Sequence, residues 1–505
     1  RARPADDGSE DITEDEEESE HHKAGHAKDD PDAENQPRTV AKPPFFGFVQ
    51  PEAKFSAPLA EPETGLPRVK LFFGYLHGHS VFSDGQCMPS ELYGKAKADG
   101  TQDFATISEH SHLTARAGVG SHGPSDPRAE EQAKVPIVAE APQLYNSTIH
   151  EAENVTETGK FVGLYGVELG TIGKAGQDAI SGVNHINVFM MKEFIESFKD
   201  GKTPKRSLNT GHIPEEQEFT KPEVFKVPDG DHKKLVEFLN QHSDATGGRP
   251  VIQLNHPRWS QDESESLEED VRGRDYGQKS FENQEEWVKE FGKYASLLEI
   301  ISGEALSQEQ SGAFPSSHVH AKDFAGYIDK GLHVAPTFGR DSHFCDLAGT
   351  PAATGVLGEG LDPKSLMDGM RERRTMATTN KDSLAGVMVM NDKFVMGSIV
   401  DEKEAGDNVH ISVTVLGNKN PEAQYIAKLW SEPNIGSGEL PTKPIQTVHI
   451  SGDDLNTAGN KIQFEDVEHE SGKKSAYWVE VQKKSDDEPN QPARMWTAPV
   501  WVESK

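Results

Sequence analysis

The sequence predicts an α/β fold followed by a β-rich region, and three observations support this prediction. Between about residues 68 and 380, short apolar runs alternate with polar loops and helix-like segments, the order expected of α/β domains. Several of these runs end in His, Asp or Glu, as strands do where they converge on one face of a parallel barrel. After about residue 380 the apolar residues recur with period two between turn residues, which is typical of a β-sandwich.

Composition excludes several classes of protein. A chain of 505 residues has room for two to four domains. Its 84 acidic and 52 basic residues give a net charge of -32, which argues against coating of nucleic acid as a main role. The sequence has no apolar run long enough for a membrane span. Because only two cysteines are present, a disulfide-built scaffold and a cysteine zinc cluster are excluded, and any metal site must use nitrogen and oxygen ligands.

The chain divides into three predicted parts. Residues 1–67 are an acidic, Pro-rich N-terminal extension with too few apolar residues to build a core. Residues 68–380 are predicted to form the α/β domain with insertions, and residues 381–505 a β-sandwich-like domain. The acidic balance, the few cysteines and a first residue, Arg1, that is not methionine predict a processed protein of the periplasm or the cell exterior.

Local patterns predict the individual elements. Pro89 is placed to begin a helix over residues 90–99, and helices are also predicted over 235–241 and 285–294. Strands of the α/β part are predicted over 69–77, 103–108, 161–167, 186–190, 250–254, 297–301 and 334–338. Strands of the β-rich part are predicted over 387–391, 409–415, 424–430, 445–450 and 476–481. The long polar stretches 118–160, 192–230 and 260–284 are predicted to be loop insertions around one end of the α/β domain.

The residues that carry chemistry lie at the predicted strand ends. His77 and His79 alternate, so both imidazoles point to one side of the chain and can bind the same ion. Asp341 and His343 repeat this spacing after the last strand of the α/β part. The other potential ligands there are Asp84, His110, Glu168, His185 and His256, of which His185 precedes a strand instead of following one. Imidazole and carboxylate ligands without thiolate predict two or three divalent ions, Mn, Zn or Fe.

These motifs resemble, in order, those of the PHP (polymerase and histidinol phosphatase) superfamily. The strings that carry the resemblance are HGHSVFSDG from His77, DFATISEH ending at His110, and the later pieces GVE, HINV, NHP and DSH. The resemblance covers about residues 68–380 and implies a distorted (β/α)7 barrel with a di- or trinuclear metal site at the C-terminal ends of its strands. It places a metal ligand at each of His77, His79, Asp84, His110, Glu168, His185, His256, Asp341 and His343. Glu168 resembles the carboxylate that bridges two metals.

The end of the chain narrows the resemblance. The strings RRTMATT from Arg373, MVMNDKFVMG from Met388 and WTAPVW from Trp496 look like an uncharacterised branch of that superfamily. Members of this branch carry long insertions and an appended C-terminal β-domain.

The predicted function is that of a metal-dependent phosphoesterase acting on a small-molecule phosphate mono- or diester. A hydroxide bridging two metals would attack phosphorus, and Arg340, beside the ligand Asp341, would neutralise the phosphate oxygens. Arg340 and Glu168 are therefore the predicted catalytic residues. Other residues predicted to reach the substrate are Arg258, Arg116 and His112, with a salt bridge the alternative for Arg258 and a structural role the alternative for the other two.

Two other functions stay open at this point, together with the oligomeric state. The same hydroxide could attack a carbonyl, as in an amidohydrolase-like hydrolase of a carbonyl ester or amide. The protein could also be a non-catalytic, metal-binding surface protein.

The two cysteines fall close to predicted ligands. Cys87 lies three residues after Asp84, and Cys345 two residues after His343. A barrel would bring both loops to one face, where a disulfide can form in an oxidising compartment. The sequence favours two unlinked thiols, with the disulfide as the alternative.

Overall fold

The structure is a computed structural model that describes residues 69–83, 85, 87–111, 141–169, 185–198, 223–228, 232–255, 257, 284–302, 319, 321–343, 345, 350–417, 420–484 and 492–504. All of these residues belong to one compact unit, Lys54–Lys505. The predicted extension 1–67, the ligands Asp84 and His256, and the substrate residues Arg258, Arg116 and His112 lie outside the described residues.

The described part is a mixed α/β protein with one large sheet and few helices, as the sequence predicts. Its helices are α1 Pro89–Asp99, α2 Ala141–Val155, α3 His232–Gln241, α4 Gln284–Phe291, α5 Ala321–Asp329, α6 Pro363–Arg371, α7 Glu402–Ala405 and α8 Gly452–Thr457. No described helix has the length and apolar character needed to cross a membrane.

The strands fall into two runs along the chain. The first run comprises β1 Lys70–Tyr75, β2 Phe104–His110, β3 Val162–Leu169, β4 Ile186–Phe189, β5 Phe194–Phe198, β6 Val224–Pro228, β7 Val251–Leu254, β8 Ala295–Ser302, β9 Ala335–Gly339, β10 Ala353–Gly358 and β11 Thr375–Thr378. The second run comprises β12 Ala385–Met390, β13 Phe394–Val395, β14 Ile399–Asp401, β15 Asn408–Val409, β16 Ile411–Leu416, β17 Gln424–Glu432, β18 Gln446–Ser451, β19 Lys461–Gln463, β20 Val467–Glu468, β21 Ser475–Lys484, β22 Ala493–Thr497 and β23 Val500–Glu503.

The large sheet contains strands from both runs. Its order is β14-β23-β21-β22-β11-β10-β1-β2-β3-β4-β7-β8-β9, and β17 joins it through β21 and pairs with β18. A separate four-stranded sheet has the order β13-β12-β16-β19. The α/β part and the β-rich part are therefore connected by backbone hydrogen bonds, because β11 pairs with β22.

Strand direction brings particular chain ends to the same edge of the sheet. β1, β2 and β3 are parallel, and so are β7, β8 and β9. Between these two groups, β4 is antiparallel to both β3 and β7. The carboxyl ends of β3 and β7 and the amino end of β4 therefore share an edge, which explains why a site there can use a residue that precedes β4.

The parallel strands are buried on both faces. Every residue of β2 and β3 is buried, as expected for sheet strands that are covered on both sides. Helix α1 begins at Pro89 and is followed by its C-cap, Gly100, whose φ of 66° is a left-handed conformation that glycine adopts without strain. Helix α6 is preceded by its N-cap, Asp362, whose side chain accepts a hydrogen bond from the Ser365 backbone N–H at 2.9 Å.

Two predicted insertions contain regular structure, so their description as loops is wrong. Helix α2 lies in the stretch 118–160, where Tyr145, Thr148 and Ala152 are buried at helical spacing. The polar residues between these positions make the overall composition of the segment resemble that of a loop, so composition alone does not predict the helix. Strands β5 and β6 lie in the stretch 192–230 and pair with each other in parallel. Parallel pairing joins segments that are distant in sequence, so neither strand has a local turn signal.

A contact network joins α5 to the β-rich part. The Asp329 carboxylate, at the end of α5, accepts hydrogen bonds from the backbone N–H groups of Gly436 and Gly438, each at 3.1 Å. Glu432, at the end of β17, is 1% exposed. Burial is the main cause that raises the pKa of Glu432 to about 7, and the negative charges of Asp329 and Glu439 raise it further.

The raised pKa of Glu432 predicts a pH-dependent penalty. Protonation of Glu432 favours the folded state, so its contribution to stability is fully present below the pKa in the unfolded chain, about 4.3. This contribution is lost as the pH rises through about 7 and the buried carboxyl ionises. Glu432→Gln should therefore raise the free energy of unfolding at pH 8 by about 1–3 kcal/mol, the cost of an incompletely paired buried polar group, and change it little at pH 5. Thermal melts at both pH values measure the difference.

Glu480 provides the matched control. It is also buried, on β21 beside β17, but contacts with Arg494 and Lys428 outweigh burial and lower its pKa. Glu480→Gln should destabilise the protein at pH 8. Equal melting shifts for both variants would contradict the assignment of the Glu432 penalty.

Candidate metal centre

Seven of the sequence-predicted ligands come together at one edge of the sheet. They are His77 and His79 after β1, His110 and Glu168 at the ends of β2 and β3, His185 before β4, and Asp341 and His343 after β9. All but His185 are at most 6% exposed, and His185 is partly exposed. The parallel strands deliver their ends to this edge, and the reversal of β4 delivers His185 to it.

Glu168 lies at the centre of the cluster, with no exposed surface. Its Oε1 is 3.2 Å from His77 Nε2 and 3.0 Å from His185 Nδ1. Its Oε2 is 2.7 Å from His110 Nδ1 and 3.4 Å from His79 Nε2. The two oxygens of one carboxylate thus face different pairs of imidazoles, so Glu168 contacts four of the other predicted ligands.

Asp341 contacts two of the same imidazoles. Its Oδ1 is 2.9 Å from His79 Nε2 and 3.2 Å from His77 Nε2. The backbone of Asp341 has a φ of 49°, which is uncommon outside glycine and is found most often in Asp and Asn. The next residue of this loop, Ser342, is held in place because its carbonyl accepts a hydrogen bond from the His79 N–H at 2.8 Å.

Two ring stacks complete the cluster. The His79 ring stacks on those of His110 and His343, with centroid distances of 4.2 and 4.4 Å. The ligand atoms fall into three overlapping groups, each within 4.8 Å: His77, His79, Glu168 and Asp341; His79, His110 and His343; and His110, Glu168 and His185. Glu168 belongs to two of these groups.

The electrostatics of the cluster depend on burial and on the opposing charges. Burial, together with His110 and His343, lowers the pKa of His79 to about 4, so His79 is neutral near pH 7. Burial alone would raise the pKa of Glu168, but His185, His110 and His77 hold it well below its usual range. Burial would likewise raise the pKa of Asp341, yet His77 and His79 are prominent among the groups that keep it low. Both carboxylates are therefore ionised.

The donor set fits divalent metal ions. Imidazole nitrogens and carboxylate oxygens are the ligands of Mn, Fe and Zn, and the described ligands include no thiolate. Two ionised carboxylates buried among imidazoles also give the centre the negative charge that cations offset. The cluster can hold divalent metal.

Several supporting residues were not predicted as part of the site. Asn255 Nδ2 donates hydrogen bonds to Glu168 Oε1 at 2.9 Å and to Asn187 Oδ1 at 3.0 Å. Glu109 accepts hydrogen bonds from the hydroxyls of Ser80 and Ser83. Asn187 and Asn255 belong to the HINV and NHP motifs. The sequence therefore contained these two amides next to predicted ligands, but an amide is not recognised when only metal ligands are sought.

Arg340 is buried beside β1. It is 5% exposed, and its guanidinium carbon lies 6.0 Å from the centroid of the Tyr75 ring. A guanidinium stacked on an aromatic face is oriented by it. The predicted contact of Arg340 with substrate stays a prediction.

The first and last ligand loops are held together by backbone and covalent bonds. Gly78 and Ser342 form a parallel β-bridge, and the His79 N–H donates to the Ser342 carbonyl at 2.8 Å. Cys87 and Cys345 form a disulfide with a Cα–Cα distance of 5.2 Å, so the preference for unlinked thiols is wrong. The two cysteines are 258 positions apart in sequence, and the bond is the alternative that the sequence left open.

Comparison with known proteins gives only distant likenesses. A two-domain protein from Bacteroides vulgatus containing a predicted PHP-like metal-dependent phosphoesterase is 15% identical, with a TM-score of 0.35, over 81% of this chain and 90% of that chain. A glycoside hydrolase family 61 member from Hypocrea jecorina is 11% identical, with a TM-score of 0.14, over 21% of this chain and 52% of that chain. No protein-family model and no curated protein matches the chain. A function must therefore be inferred from the site and the motifs.

Removal of His79 should be informative, because its Nε2, like that of His77, contacts both carboxylates. His79→Ala should lower metal content and reduce any metal-dependent turnover by more than about 100-fold, beyond the usual effect of a residue that only supports a ligand. Metal analysis of the purified variant and its circular dichroism measure binding and folding separately. His333→Ala is the control, since His333 contacts Glu503 at 2.9 Å instead of the cluster. Full metal occupancy in His79→Ala would remove His79 from the ligands.

The disulfide should stabilise the fold. Replacing Cys87 and Cys345 together by Ala should lower the free energy of unfolding by about 2–4 kcal/mol, because a long closed loop restricts the unfolded chain. Denaturant unfolding with and without a thiol reductant measures this. Reduced wild-type protein should match the double variant, and the variant should not respond to reductant. Two free thiols in the oxidised wild-type protein would contradict the bond.

Proposed function

We propose that this protein is a metal-dependent phosphoesterase that hydrolyses phosphate mono- or diesters at the cluster around Glu168. The observation that carries the proposal is that Glu168 belongs to two ligand groups, one with His77, His79 and Asp341 and one with His110 and His185. The motifs that supply these residues resemble the PHP superfamily, which favours phosphorus over carbon as the reacting centre.

Bound divalent ions, Mn, Zn or Fe in number two or three, would supply positive charge for phosphate oxygens and lower the pKa of a water molecule toward neutrality. The chain's own residues prepare the centre for this. Glu168 and Asp341 provide negative charge, and burial keeps His79 unprotonated, so that its nitrogen can act as a ligand. Buried side chains exclude bulk water from the inner side of the cluster.

Arg340 would bind a phosphate oxygen in this proposal. The support is its position directly before Asp341, at a strand end that carries two ligands. A guanidinium presents a fork of donors that suits phosphate. Arg258, Arg116 and His112 would add contacts to the substrate.

A finer description of the fold accompanies the proposal. Residues 68–380 would form a distorted (β/α)7 barrel and residues 381–505 a β-sandwich-like domain. Two hydrogen bonds between β9 and β10 support the closure of the sheet into a barrel. The Phe338 N–H donates to Thr354 Oγ1 at 2.8 Å, and Thr354 Oγ1 donates to the Phe338 carbonyl at 3.1 Å. Thr375 Oγ1, on β11, donates to the Pro336 carbonyl at 2.9 Å. These contacts join strands that lie far apart in the sheet order.

The proposed location is the periplasm or the cell exterior. The Cys87–Cys345 disulfide supports it, because such bonds persist in oxidising compartments and are rare in the cytosol.

The proposed activity is tested with protein reconstituted with Mn²⁺. An aryl phosphate monoester and diester should be hydrolysed, a chelator should abolish turnover, and added Mn²⁺ should restore it. Glu168→Gln should reduce turnover by more than about 100-fold, beyond the effect of an outer partner of a ligand. His333→Ala should keep wild-type rates. Hydrolysis of carboxyl esters or amides without phosphate esters would favour the amidohydrolase-like alternative, and no turnover by metal-loaded protein would favour a non-catalytic role.

A further inference from the structure

We propose that Glu299 is a positioning residue that fixes the orientation and tautomer of His77 and thereby sets the affinity of the metal ion that His77 holds. The inference rests on the metal centre of the proposed function. It extends that function to a residue outside the nine predicted ligands and adds an outer layer of hydrogen bonds to the site.

Glu299 stands out within its own strand. It is the charged residue in β8, whose sequence ASLLEIIS is otherwise apolar apart from serine. Its side chain has no exposed surface. Burying a carboxylate costs several kcal/mol unless hydrogen bonds compensate, so such a residue needs specific partners.

The main partner is the outer nitrogen of His77. Glu299 Oε1 is 2.7 Å from His77 Nδ1. The other nitrogen, Nε2, is 3.2 Å from both Glu168 Oε1 and Asp341 Oδ1. One nitrogen of His77 therefore faces the ligand cluster and the other faces Glu299.

This contact selects one tautomer of the ring. An ionised carboxylate only accepts hydrogen bonds, so the proton of a neutral His77 must lie on Nδ1. The lone pair is then on Nε2, directed at the ligand cluster. Outer carboxylates that hold metal-binding histidines in this way fix the ring and make it a better ligand.

Glu299 is itself held in place by an amide. Gln253 Nε2 donates to Glu299 Oε1 at 3.0 Å, and Gln253 Oε1 accepts from Thr337 Oγ1 at 2.9 Å. Gly339, on the neighbouring strand β9, leaves the space for this carboxylate, because a Cβ at that position would collide with Glu299 Oε1. The position of Glu299 is thus set from two adjacent strands.

His79 provides an internal comparison. Its Nδ1 is 3.3 Å from the hydroxyl of Ser83, a longer contact to a neutral group, and Ser83 in turn contacts Glu109. A charged partner in direct contact stabilises a donor more strongly than a neutral one. Removal of the Ser83 hydroxyl should therefore disturb metal binding less than removal of the Glu299 carboxylate.

The test is a Co²⁺ titration of metal-free protein, followed by calorimetry and by the visible absorption of the bound ion. Glu299→Ala should weaken the binding of one ion by about 10- to 100-fold and alter its absorption band, while the other binding steps change less. Glu299→Gln should lose less, because its amide oxygen can still accept from Nδ1. Ser83→Ala should have the smaller effect predicted above.

Asp329→Asn is the matched control. Asp329 is also fully buried, but its Oδ1 accepts from the backbone of Gly436 and Gly438, so its replacement should leave Co²⁺ binding unchanged. Wild-type affinity and absorption in folded Glu299 variants, with only a lower melting temperature, would assign Glu299 a structural role and overturn the proposal. Should Glu299→Ala fail to fold, Glu299→Gln decides.

The outcomes also separate this inference from the proposed function. Wild-type protein that binds Co²⁺ but hydrolyses no phosphate ester would refute the phosphoesterase, while a weakened ion in Glu299→Ala would still support the positioning role. Wild-type protein that binds no Co²⁺ would overturn both.

Discussion

The burial of two ionised carboxylates at one edge of the sheet is the constraint on which the rest of the site depends. Isolated carboxylates in such a place cost several kcal/mol each. Glu168 and Asp341 are kept ionised by five surrounding imidazoles among the described residues. Local chain geometry cannot supply that many from one segment, so the residues must come from several strands. The parallel pairing of β1, β2 and β3 and the reversal of β4 meet this requirement.

A layer of neutral amides surrounds the charged centre. Asn255 and Gln253 connect the carboxylate of Glu168 to that of Glu299 through hydrogen bonds of 2.9–3.1 Å, and Asn255 also donates to Asn187. Amides supply donors without adding charge, so they can orient carboxylates without competing for cations. These hydrogen bonds therefore orient the carboxylates of the cluster through residues on or next to β4, β7 and β8.

Much of this arrangement is visible in the sequence, and the remainder is concealed for physical reasons. Strand ends rich in His, Asp and Glu predict the ligand edge because side-chain chemistry and the position of a residue at a strand end are both local properties. His185 precedes its strand, and it reaches the ligand edge because β4 pairs antiparallel to its neighbours. That pairing is a property of the whole sheet and cannot be predicted from the local sequence. Glu299 was missed because a single carboxylate inside an apolar strand has no spacing motif. The disulfide was the less favoured alternative because a separation of 258 positions in sequence says little about distance in the fold.

The disulfide also changes what a break in the backbone would do. The bond between Cys87 and Cys345 closes a covalent ring that contains α1, the strands β2 to β9 and five of the seven described ligands. Cleavage of any single peptide bond between these cysteines would leave the two fragments covalently joined. The ligands His77 and His79, before Cys87, and Asp341 and His343, before Cys345, would remain on one connected molecule. Proteolysis at a single site inside the ring would thus nick the chain without separating these four potential ligands, as long as the surroundings stay oxidising.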